Sequence, residues 1–370
     1  MDSFIINMMK LEYQPLCPSL DKPCPAVPKS THASELVPPT MVSCNTSLSK
    51  DDKMIFSTDT STVLAFTAMG LSLAGFVLNL LIILALLTSR RLRSIVTTPL
   101  VVGVALGDFL WSSLILPVLA IRFCTRSWDT VGSCSFFPVM ELVILGASVL
   151  CLMFITINRT CLLFLKERVA KMFTIHTSIL LIVLSWIFPL LLLAPSVTGT
   201  WGRIGLDHLT QGCLIMEDTN GESPLVIFND LIFIIPFITM FSCIILDFAK
   251  LCTGTKVEKT TTSECLFILM LLLIFLMFLL CFLPGFVLSK MDNCYSYPIL
   301  HAISYITIWS CVIITPTIIL STQRSYRNAV IVLAKRLAGC LEQEQDGEDK
   351  TKRMSHMMVT TYNRQASNEI

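Results

Sequence analysis

Charge is what this sequence has least of. Asp, Glu, Lys and Arg make up 14% of its 370 residues, against about a quarter in soluble globular proteins. Hydrophobic residues make up 54%. The shortage of charge runs along most of the chain, so the solvent is read as lipid rather than water. A formal net charge of +1 provides no basic excess with which to hold nucleic acid. A secretory signal is also lacking near the start, because the apolar run Phe4–Met9 is short and Lys10 closes it. The 15 cysteines include no Cys/His spacing that would hold zinc, and most, such as Cys151, Cys243, Cys281 and Cys311, sit in apolar runs as small hydrophobes. There is no internal repeat to favour a secondary transporter. Asp108, Glu141 and His301 have no nucleophile or metal-ligand cluster beside them, which sets a membrane-embedded enzyme aside.

What is present is a series of seven apolar stretches, each near the roughly 20 residues that cross a bilayer as a helix. They run from about Thr62 to Leu87, Thr97 to Ile121, Gly132 to Leu165, Phe173 to Pro195, Leu225 to Phe248, Cys265 to Ser289 and Tyr297 to Ser321. The expected fold is an all-α membrane protein, a seven-transmembrane helix bundle over residues 61–322. Residues 1–60, rich in Pro, Ser and Thr, form an N-terminal tail. Residues 323–340 form an amphipathic helix on the membrane surface, with Tyr326, Val330, Leu333 and Leu337 among basic residues. Residues 341–370 are polar and read as a disordered tail.

Loop charges set the direction. Arg90, Arg91, Arg93, Lys166, Arg168, Lys171, Lys250, Lys256 and Lys259 fall on one side, together with Arg324, Arg327, Lys335 and Arg336 after the last span. The other side holds only Arg122, Arg126, Arg203 and Lys290. The positive-inside rule then puts the N-terminus outside and the C-terminus inside a plasma membrane. On that reading Asn45, in Asn45-Thr46-Ser47, is a glycosylation acceptor. Cys340, at the end of the surface helix, is a palmitoylation candidate, and the Ser/Thr residues of the tail are candidate kinase sites for arrestin.

Unusual residues lie inside the spans. Asn79 in the first, Asp108 in the second and Ser148 in the third read either as a hydrogen-bonded hub or as a monovalent-cation (sodium) site on Asp108, since a charge at mid-membrane needs a partner. Cys134 and Cys213, both on the outside, are expected to form a disulfide, with Cys44 and Cys294 as a second pair. Arg159 follows Cys134 by 25 residues, about 37 Å along a helix, and so reaches the opposite face. There Glu264 supplies the anion for a lock between helices. Pro117, Pro236, Pro284 and Pro316 kink four spans.

Several of these segments resemble helix signatures of rhodopsin-like (class A) G-protein-coupled receptors. They are Gly75-Phe76-Val77-Leu78-Asn79, Ala105-Leu106-Gly107-Asp108, Asn158-Arg159-Thr160, Trp186, Cys281-Phe282-Leu283-Pro284 and Thr315-Pro316. Within that family Thr156-Ile157-Asn158-Arg159, Trp201 to Asp207 before Cys213, Leu283-Pro284-Gly285-Phe286 and Gln323 to Arg327 resemble the invertebrate Trapped in endoderm and moody group. The resemblance implies an extracellular ligand, heterotrimeric G proteins as partners, no enzymatic activity, and a role in cell migration, polarity or epithelial barriers. It also marks Asn158, Arg159, Glu264, Pro284 and Pro316 as switch residues. Three departures stand out: Thr160 in place of the Tyr after the Arg, and Ile244 and Ile319 in place of two tyrosines that help hold the displaced Arg in the active state. Their loss opens the alternative of a signalling-impaired relative.

The resemblance implies a ligand pocket in the outer half of the bundle. Glu141 aligns with the position from which amine receptors present an Asp, and reads either as a contact to a cationic ligand or as the partner of Tyr305, His301, Arg122 or Lys290. Relatives in this group are not amine receptors. Asn229, Phe282, Phe286, His301, Tyr305 and Trp309 complete the expected lining.

Overall fold

The computed structural model describes residues 54–339 apart from 127, 129, 130, 171–173, 208, 209, 218–222, 254–261 and 293–294. Seven helices in it are long and apolar enough to cross a membrane. The first three spans are Thr58–Thr88, Thr98–Thr125 and Phe136–Phe164, the last inside a longer helix Val131–Ala170. The remaining four are Ile175–Thr198, Leu225–Cys252, Glu264–Ser289 and Pro298–Thr322. Each is apolar on all sides, so it buries one face against its neighbours and leaves another bare. Phe66 and Leu280 are 76% and 72% exposed, as side chains facing lipid would be.

The first span packs against the second and the seventh, the third against the second, fourth and fifth, and the sixth against the fifth and seventh. The core has three parts. One, around Leu86, Leu100, Ile155, Phe275 and Ile319, fills the end that carries Arg159. Another, around Phe56, Trp111, Phe123 and Trp309, fills the opposite half. A smaller one, around Leu193, Phe228 and Ile232, joins the third, fourth and fifth spans.

Ser57 and Thr174 open the first and fourth spans as N-caps, accepting the amides of Thr60 at 3.2 Å and Thr177 at 3.3 Å. The second and fifth spans each contain a π-helical turn, Trp111–Ile115 and Asp230–Ile234. Pro117 and Pro236 lie two residues beyond these turns and lack an amide proton. The wide turns re-route the bonding, so that the amides of Leu116 and Ile235 donate back to Trp111 and Asp230. Pro284 and Pro316 are inside helices as expected, and so are Pro138, Pro189 and Pro195, the last because the fourth span runs on to Thr198.

Between the fourth and fifth spans lies an antiparallel hairpin, β1 (Arg203–Asp207) and β2 (Gly212–Met216), with Leu206 opposite Cys213. After the seventh span the chain breaks at Gln323 and continues as a helix over residues 324–339. Tyr326 turns inward and is buried, whereas Leu337 is 45% exposed, which suits a helix lying along a lipid surface.

Candidate functional site

Three groups of polar side chains interrupt the apolar packing, one at each end of the bundle and one at its middle. At the first end, a disulfide joins Cys134 at the start of the third helix to Cys213 on β2. It draws the hairpin over the bundle mouth. Asp207 closes the hairpin loop by accepting from the Thr210 amide at 3.1 Å and its hydroxyl at 2.5 Å. Arg122, on the second span, donates through Nη2 to the Thr210 carbonyl at 3.1 Å and lies 4.5 Å over the Phe123 ring. Its Nε is buried and has no acceptor among the described residues. Glu141, Tyr305, Tyr295 and Asp207 all lie in electrostatic range of this guanidinium. Of the four candidate partners for Glu141, Arg122 and Tyr305 lie in electrostatic range of it. His301 turns elsewhere, and the Lys290 side chain is outside the described residues.

His301 Nε2 lies 3.3 Å from Asp292, which accepts the amides of Ser296 at 2.8 Å and Tyr297 at 2.9 Å. Burial is the largest single influence on the Asp292 carboxyl and acts upward. The donors from Ser296, Tyr297 and His301 together outweigh it and hold the group below the usual carboxylate range. Tyr295 stacks 4.2 Å from the His301 ring in a left-handed backbone conformation (φ 53°). Burial, followed by the neighbouring Tyr305, pushes its phenol above the ordinary tyrosine value.

The expected pocket lining divides. Tyr305 and Trp309 stack with each other at 6.0 Å and pack on Phe56 and Phe123 at 6.0 and 5.8 Å, a cluster in which Trp309 is core. Phe282 stacks on Phe278 at 5.2 Å. Asn229 is half-buried just before the wide turn of the fifth span, and Phe286 is 42% exposed. Glu141, Arg122 and Tyr305 thus lie within electrostatic range of one another, and Tyr295 links Tyr305 to His301.

At the middle, Asn79 donates to the Gly75 carbonyl at 2.9 Å and to the Val312 carbonyl at 2.8 Å, tying the first span to the seventh. Ser148 spends its proton on Ile144 at 3.2 Å. Both donors are thus consumed by backbone. Asp108 Oδ2 and Asn79 Oδ1 remain buried without a hydrogen-bond partner, so no direct hub closes between the three residues. Two buried oxygens facing no donor fit a hard monovalent cation or water. Among the described residues no cluster of three His, Cys, Asp or Glu could hold a metal ion.

At the opposite end, the Arg159 guanidinium sits 4.2 Å over the Phe267 ring, with Glu264, Asp247 and Tyr326 in electrostatic range. Asn158 is wholly buried, and neither polar atom of its amide has a partner. Asp247 on the fifth span is 1% exposed. It faces Thr160, whose hydroxyl proton goes to the Thr156 carbonyl at 3.2 Å. Both Asp247 carboxylate oxygens are therefore left without a hydrogen bond. Ile244 and Ile319 are buried in the surrounding apolar core. Asp247 is a residue that the sequence analysis does not single out. The signal was there: it lies one turn beyond Ile244, on the same face. Asn45, Cys44, Cys294 and Cys340 lie outside the described residues.

Residues 78–359 match the family model for the 7 transmembrane receptor (rhodopsin family). The chain belongs to this family. It is 30% identical over 291 residues to Protein trapped in endoderm-1 of Drosophila melanogaster, a match covering 69% of this chain and 73% of that protein. It is 28% identical over 206 residues to the G-protein coupled receptor moody of the same fly, covering 55% of this chain and 31% of moody. Squid rhodopsin superposes with a TM-score of 0.66 at 16% identity, over 77% of this chain and 88% of that one, which shows the fold. The molecule is thus a multi-pass membrane receptor of the rhodopsin family, whose members are in general not enzymes.

Proposed function

We propose that this receptor binds an extracellular ligand between Arg122, Glu141 and Tyr305 and passes the signal to a heterotrimeric G protein at the Arg159 end. On this reading it lies in the plasma membrane with its N-terminus outside and C-terminus inside, and serves cell migration, polarity or epithelial barrier control. The observation that carries the proposal is the setting of Arg159, a half-buried cation on an aromatic ring with two acids on neighbouring spans in electrostatic range. A cation so restrained is a switch element that a G protein can compete for once the spans part. The orphaned Arg122 Nε favours a ligand that brings its own acceptor to the pocket. Asp108, Asn79 and Ser148 would hold a sodium ion, which supplies the positive charge that Asp108 lacks. Arrestin is a further partner through the Ser/Thr residues of the tail.

The test is nucleotide exchange on a panel of Gα subunits, in membranes holding the receptor or Arg159→Ala, with tissue extract as a crude ligand source. Exchange that disappears in the variant at equal surface expression is the expected result. Exchange that persists would remove Arg159 from the coupling step. A second reading, a signalling-impaired relative, is favoured by one specific feature: Ile244 and Ile319 fill with hydrocarbon the places where tyrosines would hold the displaced Arg.

A further inference from the structure

A cavity of about 520 Å³ opens between the end of the first span, the short helix Arg90–Arg93 and the helix over residues 324–339. It is within the size range of small-ligand sites. Arg90 and Arg91 enter it from the loop side and Arg336 from the helix side, with Ser89, Ser325 and Asn328 as further donors. No acid lines it. Among the described residues none of the three guanidinium groups has a hydrogen bond or ion pair, whereas Arg327 on the same helix spends its guanidinium on the carbonyls of Leu320 and Ser321 at 3.3 and 3.2 Å. Three unpaired guanidinium groups around one space repel each other until an anion arrives.

The chemistry of that anion follows from the donors. Planar guanidinium forks match phosphate oxygens two at a time, and several around one cavity suit a group carrying more than one phosphate. The surroundings identify its source. Ser325, Asn328, Val332 and Arg336 recur at helical spacing and so share one face of their helix. The cavity floor is apolar, with Leu92 and Leu333. Next to its rim stand Leu84 and Leu87 of the first span, 39% and 49% exposed, an apolar wall along which acyl chains can run. A basic recess at a span end with such a wall fits a lipid better than a soluble phosphate.

We propose that this cavity binds the phosphorylated headgroup of a membrane lipid, an inositol lipid with two or more phosphates, from the leaflet on the Arg159 side. That the leaflet is the cytoplasmic one rests on the orientation proposed above. The bound headgroup bridges the loop and the helix. On the inner side of that helix Tyr326 is buried, faces Thr97 and Thr98 and lies in electrostatic range of Arg159. The lipid thereby fixes a residue next to the switch.

The test uses the full-length receptor in phosphatidylcholine nanodiscs, with and without phosphatidylinositol bisphosphate, read by native mass spectrometry and thermal unfolding. Lipid binding is expected to fall about tenfold or more in the triple variant Arg90→Gln, Arg91→Gln, Arg336→Gln. A control with the same charge change outside the cavity, Arg93→Gln, Arg324→Gln, Lys335→Gln, stays within about twofold. Equal losses in both variants would reduce the effect to general surface attraction and overturn the site. Soluble inositol trisphosphate binding as tightly as the lipid would overturn the lipid assignment. If the triple variant does not fold, the single exposed change Arg336→Gln gives the same reading as a smaller loss, and no loss there counts against the site. Nanodiscs expose both faces, so binding does not depend on orientation. Protease access to a C-terminal epitope on intact cells reads the orientation separately.

Discussion

Asp247 and Arg159 illustrate how much a single buried charge can decide. The Asp247 carboxylate is buried and, among the described residues, receives no hydrogen bond that meets the geometric limits; the nearby Thr160 side chain and, after it, the charge of Arg159 on the third span offset its burial. The residue before Arg159, Asn158, carries no charge and is itself unsatisfied. The anionic partners of Arg159 are thus on the fifth and sixth spans, not on its own helix. Replacing Asp247 with Asn removes one of these restraints while keeping the shape. Basal nucleotide exchange is expected to rise several-fold to about tenfold, the equivalent of roughly 1–1.4 kcal/mol. Glu264→Gln should act in the same direction, and a double-mutant cycle would show whether the two acids share one task. Basal exchange unchanged in both variants at equal surface expression would end this account of the Arg159 restraint.

At the scale of elements, the junction between the sixth and seventh spans depends on Asp292. It accepts two amides at the start of the seventh span and lies against His301. It acts as an anionic cap for a helix whose first residue is a proline and whose Tyr297 offers no side-chain cap. Its pKa is depressed, so the stability it adds is fully present above the ordinary carboxylate value. That stability is lost as the pH falls through the lower folded value. Asp292→Ala is therefore expected to lower thermal stability by about 1 kcal/mol at neutral pH, with solvent screening taken into account. The gap from wild type should close at pH below about 4. A gap independent of pH would mean that packing, not charge, explains the loss. The helices themselves were plain in the sequence, since length and apolarity settle them. The cap was not, because Asp292 reads as an ordinary loop acid until the turn brings two amides onto it.

For the whole molecule the question is the balance between resting and active arrangements. Ile244 and Ile319 face one core at the Arg159 end, where a phenol would have offered the displaced arginine a hydrogen bond. The double variant Ile244→Tyr, Ile319→Tyr is expected to raise agonist-stimulated exchange, by about fivefold or more if each new bond contributes at least a typical 0.5 kcal/mol to the active state alone. An unchanged response would place the weakness, if there is one, elsewhere in the molecule. The sequence by itself determined the seven spans, their order, the cysteine pair that closes one end and the distance from it to Arg159. Each of these depends on local hydrophobicity or on counting along a helix. Which side chains come into electrostatic range across the bundle was decided only in three dimensions: Glu141 with Arg122, Asp247 with Arg159, and the arginines around the cavity. The reason lies partly in the two wide turns, at Trp111–Ile115 and Asp230–Ile234. Each takes an extra residue into one turn and so rotates everything beyond it by about 100°. Arg122 and Asp247 both lie beyond such a turn, so their faces do not follow from counting from the start of the span, although Asp247 still shares a face with nearby Ile244.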